Sequence, residues 1–79
     1  MTKSVFTDEY QQFLRLLIAE RKKAGLTQCT LAAKLDQAQP YVAKYEHGVR
    51  RLDIIEFLEI ADAIGFCPFD FLTKIYHRH

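Results

Sequence analysis

Four residues near the middle of the chain carry side chains suited to contacting the bases of a nucleic acid: Gln39, Pro40, Tyr41 and Lys44. The amide of Gln39 can pair with adenine, and the ammonium group of Lys44 can donate to O6 and N7 of guanine. Pro40 or the ring of Tyr41 can touch the methyl group of thymine. On a helix, Pro40 and Tyr41 share a face with Lys44, which lies four and three positions later. The alternative is that these side chains form an ordinary polar surface. The surrounding helices and charges decide between base recognition and such a surface.

The charge around this segment is uneven, although the net charge of the chain is only +1. Residues 21–51 contain seven basic and two acidic residues, whereas acidic residues outnumber basic ones on either side. A local excess of positive charge indicates a polyanionic partner. We therefore predict phosphate contacts by His47, Arg50 and Arg51, and the amide of Gln28, which would lie at a helix N-terminus, can hold a phosphate oxygen as well. A solvated glutamine and a solvated basic loop are the alternatives.

The elements that would position these side chains are helices. The spacing of apolar residues predicts a first helix from a cap at Thr7 to Gly25 and a second from a cap at Thr27 to Lys34 or Leu35. A third helix is predicted over about Gln39–His47. A fourth is predicted from a capping box at Asp53 and Glu56 to Gly65, and a fifth from about Pro68 through Tyr76. No segment alternates long enough to predict a strand. The prediction is an all-α fold of five helices.

Two opposite charges are predicted to meet behind the third helix. Arg21 lies four positions after Leu17 on the inward side of helix one, and Glu46 lies four positions after Val42 on the inward side of helix three. Because an unpaired buried charge is costly, we predict an ion pair that sets the angle of helix three. A phosphate contact by Arg21 is the second interpretation.

A series of residues closely resembles the Cro/repressor-type, or xenobiotic-response-element type, of helix-turn-helix family. The matching residues, in order and without gaps, are Arg21, Gly25-Leu26-Thr27-Gln28, Leu31-Ala32, Val42, Tyr45-Glu46, Gly48, Ile60-Ala61 and Ile64-Gly65. The resemblance covers about residues 14–72. It implies a lambda-repressor-like domain that docks helix three in the major groove of DNA, with the Arg21–Glu46 pair joining helix one to this recognition helix.

The sequence departs from the family pattern in and around the turn. Thr30 stands where Glu often completes a capping box, and Asp36 stands where Gly is common. Gln37, Ala38 and Leu52 also replace the usual residues. We expect each loss to cost a few tenths to about 1 kcal/mol, including the loss of the capping box at Thr30.

Length and composition exclude several classes of protein. The 79 residues predict one domain with a short N-terminal extension and a C-terminal tail. A charged fraction of 27%, and acidic residues near the start, predict no membrane span and no signal peptide, hence a cytoplasmic protein. For the regulator that the family resemblance implies, we expect a bacterial or phage origin. We expect no disulfide framework, no cofactor and no small-molecule effector domain. Metal binding is not expected either, because Cys29, Cys67, His77 and His79 lack the spacing of metal ligands. No catalytic motif is present, so we predict that the protein is not an enzyme.

The C-terminal segment carries more large apolar side chains than a short helix can bury: Phe66, Phe69, Phe71, Leu72, Ile75 and Tyr76. Some are expected to cover Phe13 and Leu17 of helix one. The surplus predicts the interface of a homodimer. A twofold dimer would place two recognition helices about 34 Å apart on a palindromic site.

These observations predict a sequence-specific regulator of transcription that binds double-stranded DNA as a homodimer, a repressor in preference to an activator. It would act by occupying its operator. The alternative is an antitoxin or adaptor whose main role is to bind a protein partner through the aromatic C-terminal segment. A toxic partner that co-purifies with the chain would favour this alternative.

Overall fold

Residues 7–76 are described by the computed structural model. Over this range the chain forms five helices and no strand: α1 (Asp8–Lys23), α2 (Gln28–Lys34), α3 (Pro40–Glu46), α4 (Ile54–Ile64) and α5 (Pro68–Thr73). The predicted all-α, five-helix fold is confirmed. Residues 1–6 of the N-terminal extension, together with His77 and His79, lie outside the described residues.

Local hydrogen bonds explain where α1 and α4 begin and end. The Thr7 hydroxyl accepts from the Tyr10 backbone N–H at 3.2 Å. Asp53 Oδ1 accepts from the Glu56 N–H at 2.7 Å, and Glu56 Oε1 accepts from the Asp53 N–H at 2.9 Å. This reciprocal pair is the predicted capping box of α4. The helix ends at Gly65, which has the left-handed φ of 100° that glycine adopts without strain.

The expected loss of the capping box at α2 is wrong. Thr27 Oγ1 accepts from the Thr30 N–H at 3.0 Å, and Thr30 Oγ1 accepts from the Thr27 N–H at 2.8 Å. The short hydroxyl of Thr30 therefore does what the longer carboxylate of Glu does elsewhere. Thr30 lies one turn after Thr27, and its hydroxyl oxygen, which is bonded directly to the β-carbon, is close enough to accept from the Thr27 N–H.

The observed α3 is one residue shorter at each end than predicted, and α5 is three residues shorter. Helix α3 begins at Pro40, with Gln39 as a cap that makes no side-chain hydrogen bond, and it ends at Glu46. Helix α5 ends at Thr73, so Tyr76 lies beyond it. At the end of α5 the Thr73 hydroxyl donates to the Asp70 carbonyl at 2.7 Å. The Lys74 N–H donates to the Phe71 carbonyl and the Ile75 N–H to the Leu72 carbonyl, both at 3.1 Å, so the last turn is tightened to bonds between residues three apart.

The turn between α2 and α3 contains one residue in the left-handed region. Asp36 has a φ of 56° and fills the position where the resemblance leads one to expect glycine. The next residue closes the turn, since the Gln37 N–H donates to the Ala32 carbonyl at 2.9 Å. This bond sets the direction in which the chain enters α3.

The core draws on all five helices. Its buried members are Leu14, Leu17, Leu31, Ala32, Val42, Tyr45, Phe57, Ile60 and Phe71. Val42 and Tyr45 have no exposed surface, so the inner side of α3 is fully packed. The rings of Phe13 and Phe71 meet edge to face with centroids 5.8 Å apart, which joins α5 to α1.

One expected apolar face is only partly used. Phe57 and Ala61 of α4 are buried, but Ile54 and Leu58, which share the predicted apolar side, are 61% and 43% exposed. The helical spacing places Ile54 and Leu58 on an apolar side of α4, but it does not predict that they stay exposed.

Candidate nucleic-acid interface

The outer side of α3 is an exposed polar surface. Gln39, Pro40 and Lys44 are exposed, and Ala43 between them is half-buried. Their placement follows from helical geometry, because the opposite side of the same helix carries the fully buried Val42. Pro40 occupies the first position of the helix, where its missing N–H costs no helical bond. These residues can therefore meet another molecule without rearrangement of the core.

A buried ion pair lies behind this surface. Arg21 Nε donates to Glu46 Oε2 at 2.7 Å, and Arg21 Nη2 donates to Glu46 Oε1 at 3.1 Å. The side chains of the two residues are only 10% and 3% exposed. Arg21 Nη1 also donates to the Leu26 carbonyl at 3.0 Å. The pair thus ties α1, the start of α2 and the end of α3 together with directional, charge-assisted bonds.

Gln28 is part of the same network. Its Nε2 donates to Glu46 Oε1 at 2.9 Å, and its side chain is half-buried at the first position of α2. The amide nitrogen carries two hydrogens, and this bond uses one of them. Gln28 therefore couples the exposed N-terminus of α2 to the buried carboxylate, in addition to any contact it makes outside the protein.

Tyr41 is held between two other side chains, although it was predicted to belong to the outer side of α3. Its ring lies 5.8 Å from that of Tyr45, edge to face, and the guanidinium of Arg50 covers it at 4.9 Å. Burial raises the pKa of Tyr41, and the carboxylate of Glu56 raises it further. Tyr41 is thus half-buried and neutral, with a restricted ring.

The basic loop after α3 makes contacts with two other elements. Arg50 Nη2 donates to Glu56 Oε2 at 2.5 Å, and the Arg51 guanidinium lies 4.5 Å from the centre of the Tyr10 ring. The hydrogen bond from Arg50, followed by that from the Asp53 backbone, lowers the pKa of Glu56. His47 is exposed at the end of α3. The loop is therefore anchored to α4 and α1.

Two residues of this surface were not assigned to it from the sequence. Glu56 was assigned only a capping role, and Tyr10 was assigned no functional role. Glu56 follows Arg50 by six positions across a loop, a spacing that no helical period reveals. Tyr10 is 42 residues from Leu52, whose N–H donates to its hydroxyl at 3.3 Å. Neither contact has a local sequence signal.

The aromatic C-terminal residues divide into two groups, which corrects the predicted dimer surface. Phe71 is 1% exposed, and Phe66 stacks on it with ring centroids 4.9 Å apart, so both belong to the interior. The other group remains open: Phe69 is 78% exposed and Tyr76 is 69% exposed.

The open residues line an apolar groove with a volume of about 530 Å³. Its walls are Glu9, Phe69, Leu72, Thr73, Ile75 and Tyr76. A second apolar groove of about 230 Å³ contains Leu72 and Ile54. Because Leu72 borders both grooves, the apolar surface is continuous from the end of α5 to the start of α4.

Two further properties concern residues 7–76 only. Within this range, no three His, Cys, Asp or Glu side chains are grouped closely enough to hold a metal ion. None of the helices there has the length and apolar character needed to cross a membrane.

Comparisons with known proteins agree with this geometry. Residues 17–72 match the Cro/C1-type helix-turn-helix family. Among solved structures, an XRE-family like protein from Pseudomonas syringae pv. tomato str. DC3000 is similar to the chain, with a TM-score of 0.82 and 44% sequence identity. The match covers 86% of this chain and 85% of that chain. A comparison with curated proteins gives no match.

Proposed function

The chain belongs to the XRE, or Cro/C1-type, helix-turn-helix family of DNA-binding transcription regulators, and on this basis we propose that it is a repressor that binds a palindromic operator as a homodimer. The observation that carries the proposal is the exposed outer side of α3, held in place by the buried pair of Arg21 and Glu46. It is a protein of bacterial or phage origin that acts by occupying DNA in the bacterial cytoplasm, and not by catalysis.

The base contacts come from the exposed residues of α3. Gln39 and Lys44 present an amide and an ammonium group with no side-chain partner among the described residues. These groups match the donor and acceptor pattern of adenine and guanine in the major groove. Pro40 adds an apolar contact to a thymine methyl group, and Tyr41 contributes the exposed part of its ring.

The phosphate contacts flank this surface. The second amide hydrogen of Gln28 and the free N–H groups at the start of α2 bind one phosphate. At the other end of α3, the exposed side chains of His47 and Arg51 bind the next. Arg50 lies in the same loop, but its guanidinium is already paired with Glu56.

The homodimer forms through the continuous apolar surface of α5 and α4. Phe69, Leu72, Ile75 and Tyr76 remain from the predicted interface, and Ile54 extends it across the second groove. Exposed apolar surfaces of this kind mark interfaces, and a stable interface buries about 800 Å² on each partner.

The alternative function, an antitoxin or adaptor, rests on the same surface. The groove beside Phe69 and Tyr76 would then receive an apolar segment of another protein. A protein that co-purifies with the chain in stoichiometric amount and blocks formation of the dimer would favour it. A homodimer that forms without any other protein favours the repressor.

Selection of binding sites from random duplexes at two salt concentrations tests the proposal. We expect the selected duplexes to share an inverted repeat, with an affinity that falls as salt rises. Lys34→Ala is a matched control for Lys44→Ala, because Lys34 is also exposed but lies at the end of α2. Selected duplexes without any common sequence would contradict base recognition by α3.

A further inference from the structure

Arg50 is held at three points, although it lies in the loop that is proposed to approach the DNA backbone. Its Nη2 donates to Glu56 Oε2 at 2.5 Å, and its Nη1 donates weakly to the Arg51 carbonyl at 3.4 Å. Its guanidinium also covers the Tyr41 ring at 4.9 Å. The side chain therefore points along the surface of the protein, towards α4 and the start of α3.

The partner carboxylate is fixed as well. Glu56 Oε1 accepts from the Asp53 N–H at 2.9 Å, so both oxygens of Glu56 have donors. Partly exposed ion pairs are usually weak because two long side chains must be ordered. Here the capping box orders Glu56 and the Tyr41 ring orders Arg50, so most of this entropy cost is met by other contacts.

A carboxylate and a DNA phosphate compete for the same guanidinium. Both are oxygen anions that accept the parallel N–H bonds of arginine. If Arg50 moved to a phosphate, the Glu56 carboxylate would lose its charge partner close to the negatively charged DNA. The exchange would neutralise one more phosphate but uncover one carboxylate beside the DNA, so it would bring no net gain in charge neutralisation.

We propose that Glu56 withholds Arg50 from the DNA backbone and commits it to positioning the Tyr41 ring at the start of the recognition helix. This inference rests on the proposed DNA binding. Arg50 then supports the choice of base pair through Tyr41, and Arg51 supplies the phosphate contact of the loop. Glu56 and Arg50 are positioning residues in this scheme.

Glu56→Gln is the decisive variant. Glutamine keeps an oxygen that can accept from the Asp53 N–H, so the capping box survives, but it removes the charge that holds Arg50. Arg50 should then reach a phosphate. Each added contact steepens the slope of log affinity against log salt by about 0.9, which is about a 3.5-fold larger loss of affinity for a fourfold rise in salt.

The slope is measured for four proteins: the parent, Glu56→Gln, Arg50→Ala and the double variant. We expect a steeper slope for Glu56→Gln alone, and the parental slope for both proteins that lack Arg50. In the parent background, Arg50→Ala should instead relax the sequence preference at one base pair in a selection from random duplexes. Urea unfolding shows that each variant is folded.

Glu59→Gln is the matched control. Glu59 lies one turn further along α4, is exposed, and has no hydrogen bond or ion pair within residues 7–76. Its substitution removes the same charge and should leave the slope at the parental value.

Three outcomes would overturn the inference while leaving DNA binding intact. The first is a shallower slope for Arg50→Ala in the parent, because Arg50 would then already contact a phosphate. The second is an equal steepening for Glu56→Gln with and without Arg50, which would make it a general effect of charge. The third is an unchanged slope for Glu56→Gln. A parent protein that binds no duplex at any salt concentration would overturn the proposed function itself.

Discussion

Removal of the Glu46 carboxylate should destabilise the protein severely. This carboxylate accepts bonds from Arg21 Nε at 2.7 Å, Arg21 Nη2 at 3.1 Å and Gln28 Nε2 at 2.9 Å. Glu46→Ala removes all three bonds and leaves the guanidinium of Arg21 buried, with only the Leu26 carbonyl as a partner. Breaking a buried ion pair in this way typically costs about 3–5 kcal/mol.

That loss is large for a chain of this size. At roughly 0.05–0.15 kcal/mol per residue, a small domain of this length is stable by about 4–12 kcal/mol. Glu46→Ala should therefore remove at least about a quarter of this stability, and it would bring a protein at the lower end of the range close to its unfolding midpoint at 25 °C. Urea unfolding followed by far-UV circular dichroism measures the change directly. Glu59→Ala serves as the control, because an exposed and unpaired glutamate should change the unfolding free energy by no more than about 0.5 kcal/mol.

A second pair of variants separates stability from function. Replacing both charges, with Arg21→Met and Glu46→Leu, leaves no stranded ion and should recover most of the lost stability. If the pair also sets the angle of α3, this double variant will be folded but will bind the operator more weakly than the parent. The reasoning would be refuted if Glu46→Ala were as stable as the parent. It would also be refuted if Glu46→Ala lowered the unfolding free energy as much in the Arg21→Met background as in the parent.

Four further substitutions test other parts of the structure. Lys44→Ala should cost about 1–3 kcal/mol of operator affinity and relax the preference at one base pair; an equal loss on every duplex would make Lys44 a phosphate contact. Tyr45→Phe should keep or raise the unfolding free energy, because the buried Tyr45 hydroxyl has no hydrogen-bond partner among the described residues. Phe69→Ser should shift sedimentation from dimer towards monomer while leaving the fold intact, since Phe69 is 78% exposed; a dimer unaffected by it would place the interface elsewhere. Finally, the pKa of Glu56 lies below its ordinary value of 4.5, so its stabilising contribution is complete above that pH and is lost as the pH falls towards the lowered pKa. Glu56→Gln should therefore show a flatter pH dependence of stability below pH 5 than the parent, and identical curves would contradict this assignment.

The helices could be predicted because their signals are local. Thr7, Asp53 and Gly65 each act on a backbone group within four residues, so a sequence pattern contains nearly all the information. Pro40 fixed the start of α3 for the same reason. The predicted bounds of α3 differ from the observed ones by a single residue, and only the end of α5 was placed three residues too late.

The burial of the C-terminal aromatic residues was partly available in the sequence. Successive residues of a helix are about 100° apart, so Phe69 and Phe71 point to nearly opposite sides of α5. One of them packs against Phe13 and Phe57, and the other stays exposed. Treating the aromatic residues as a single set concealed this division.

The contacts of the basic loop could not be predicted, because they join elements that are distant in sequence or lie across a turn. Arg51 over Tyr10 and Arg50 on Glu56 depend on how α1 and α4 pack against α3. Such packing is a result of the whole fold. The sequence could show that the loop is basic, but not which of its charges are free.

This distinction changes how the charge of the region is counted. Residues 21–51 hold five more basic than acidic residues, yet Arg21 is neutralised inside the protein by Glu46. Arg50 is neutralised by Glu56, which lies outside the counted segment and so escapes the count. Counterion release depends only on cations that reach phosphates, and not on the formal charge of a segment. The electrostatic part of DNA binding should therefore come from a small number of exposed cations, chiefly Arg51, while the two paired arginines hold the recognition helix in position.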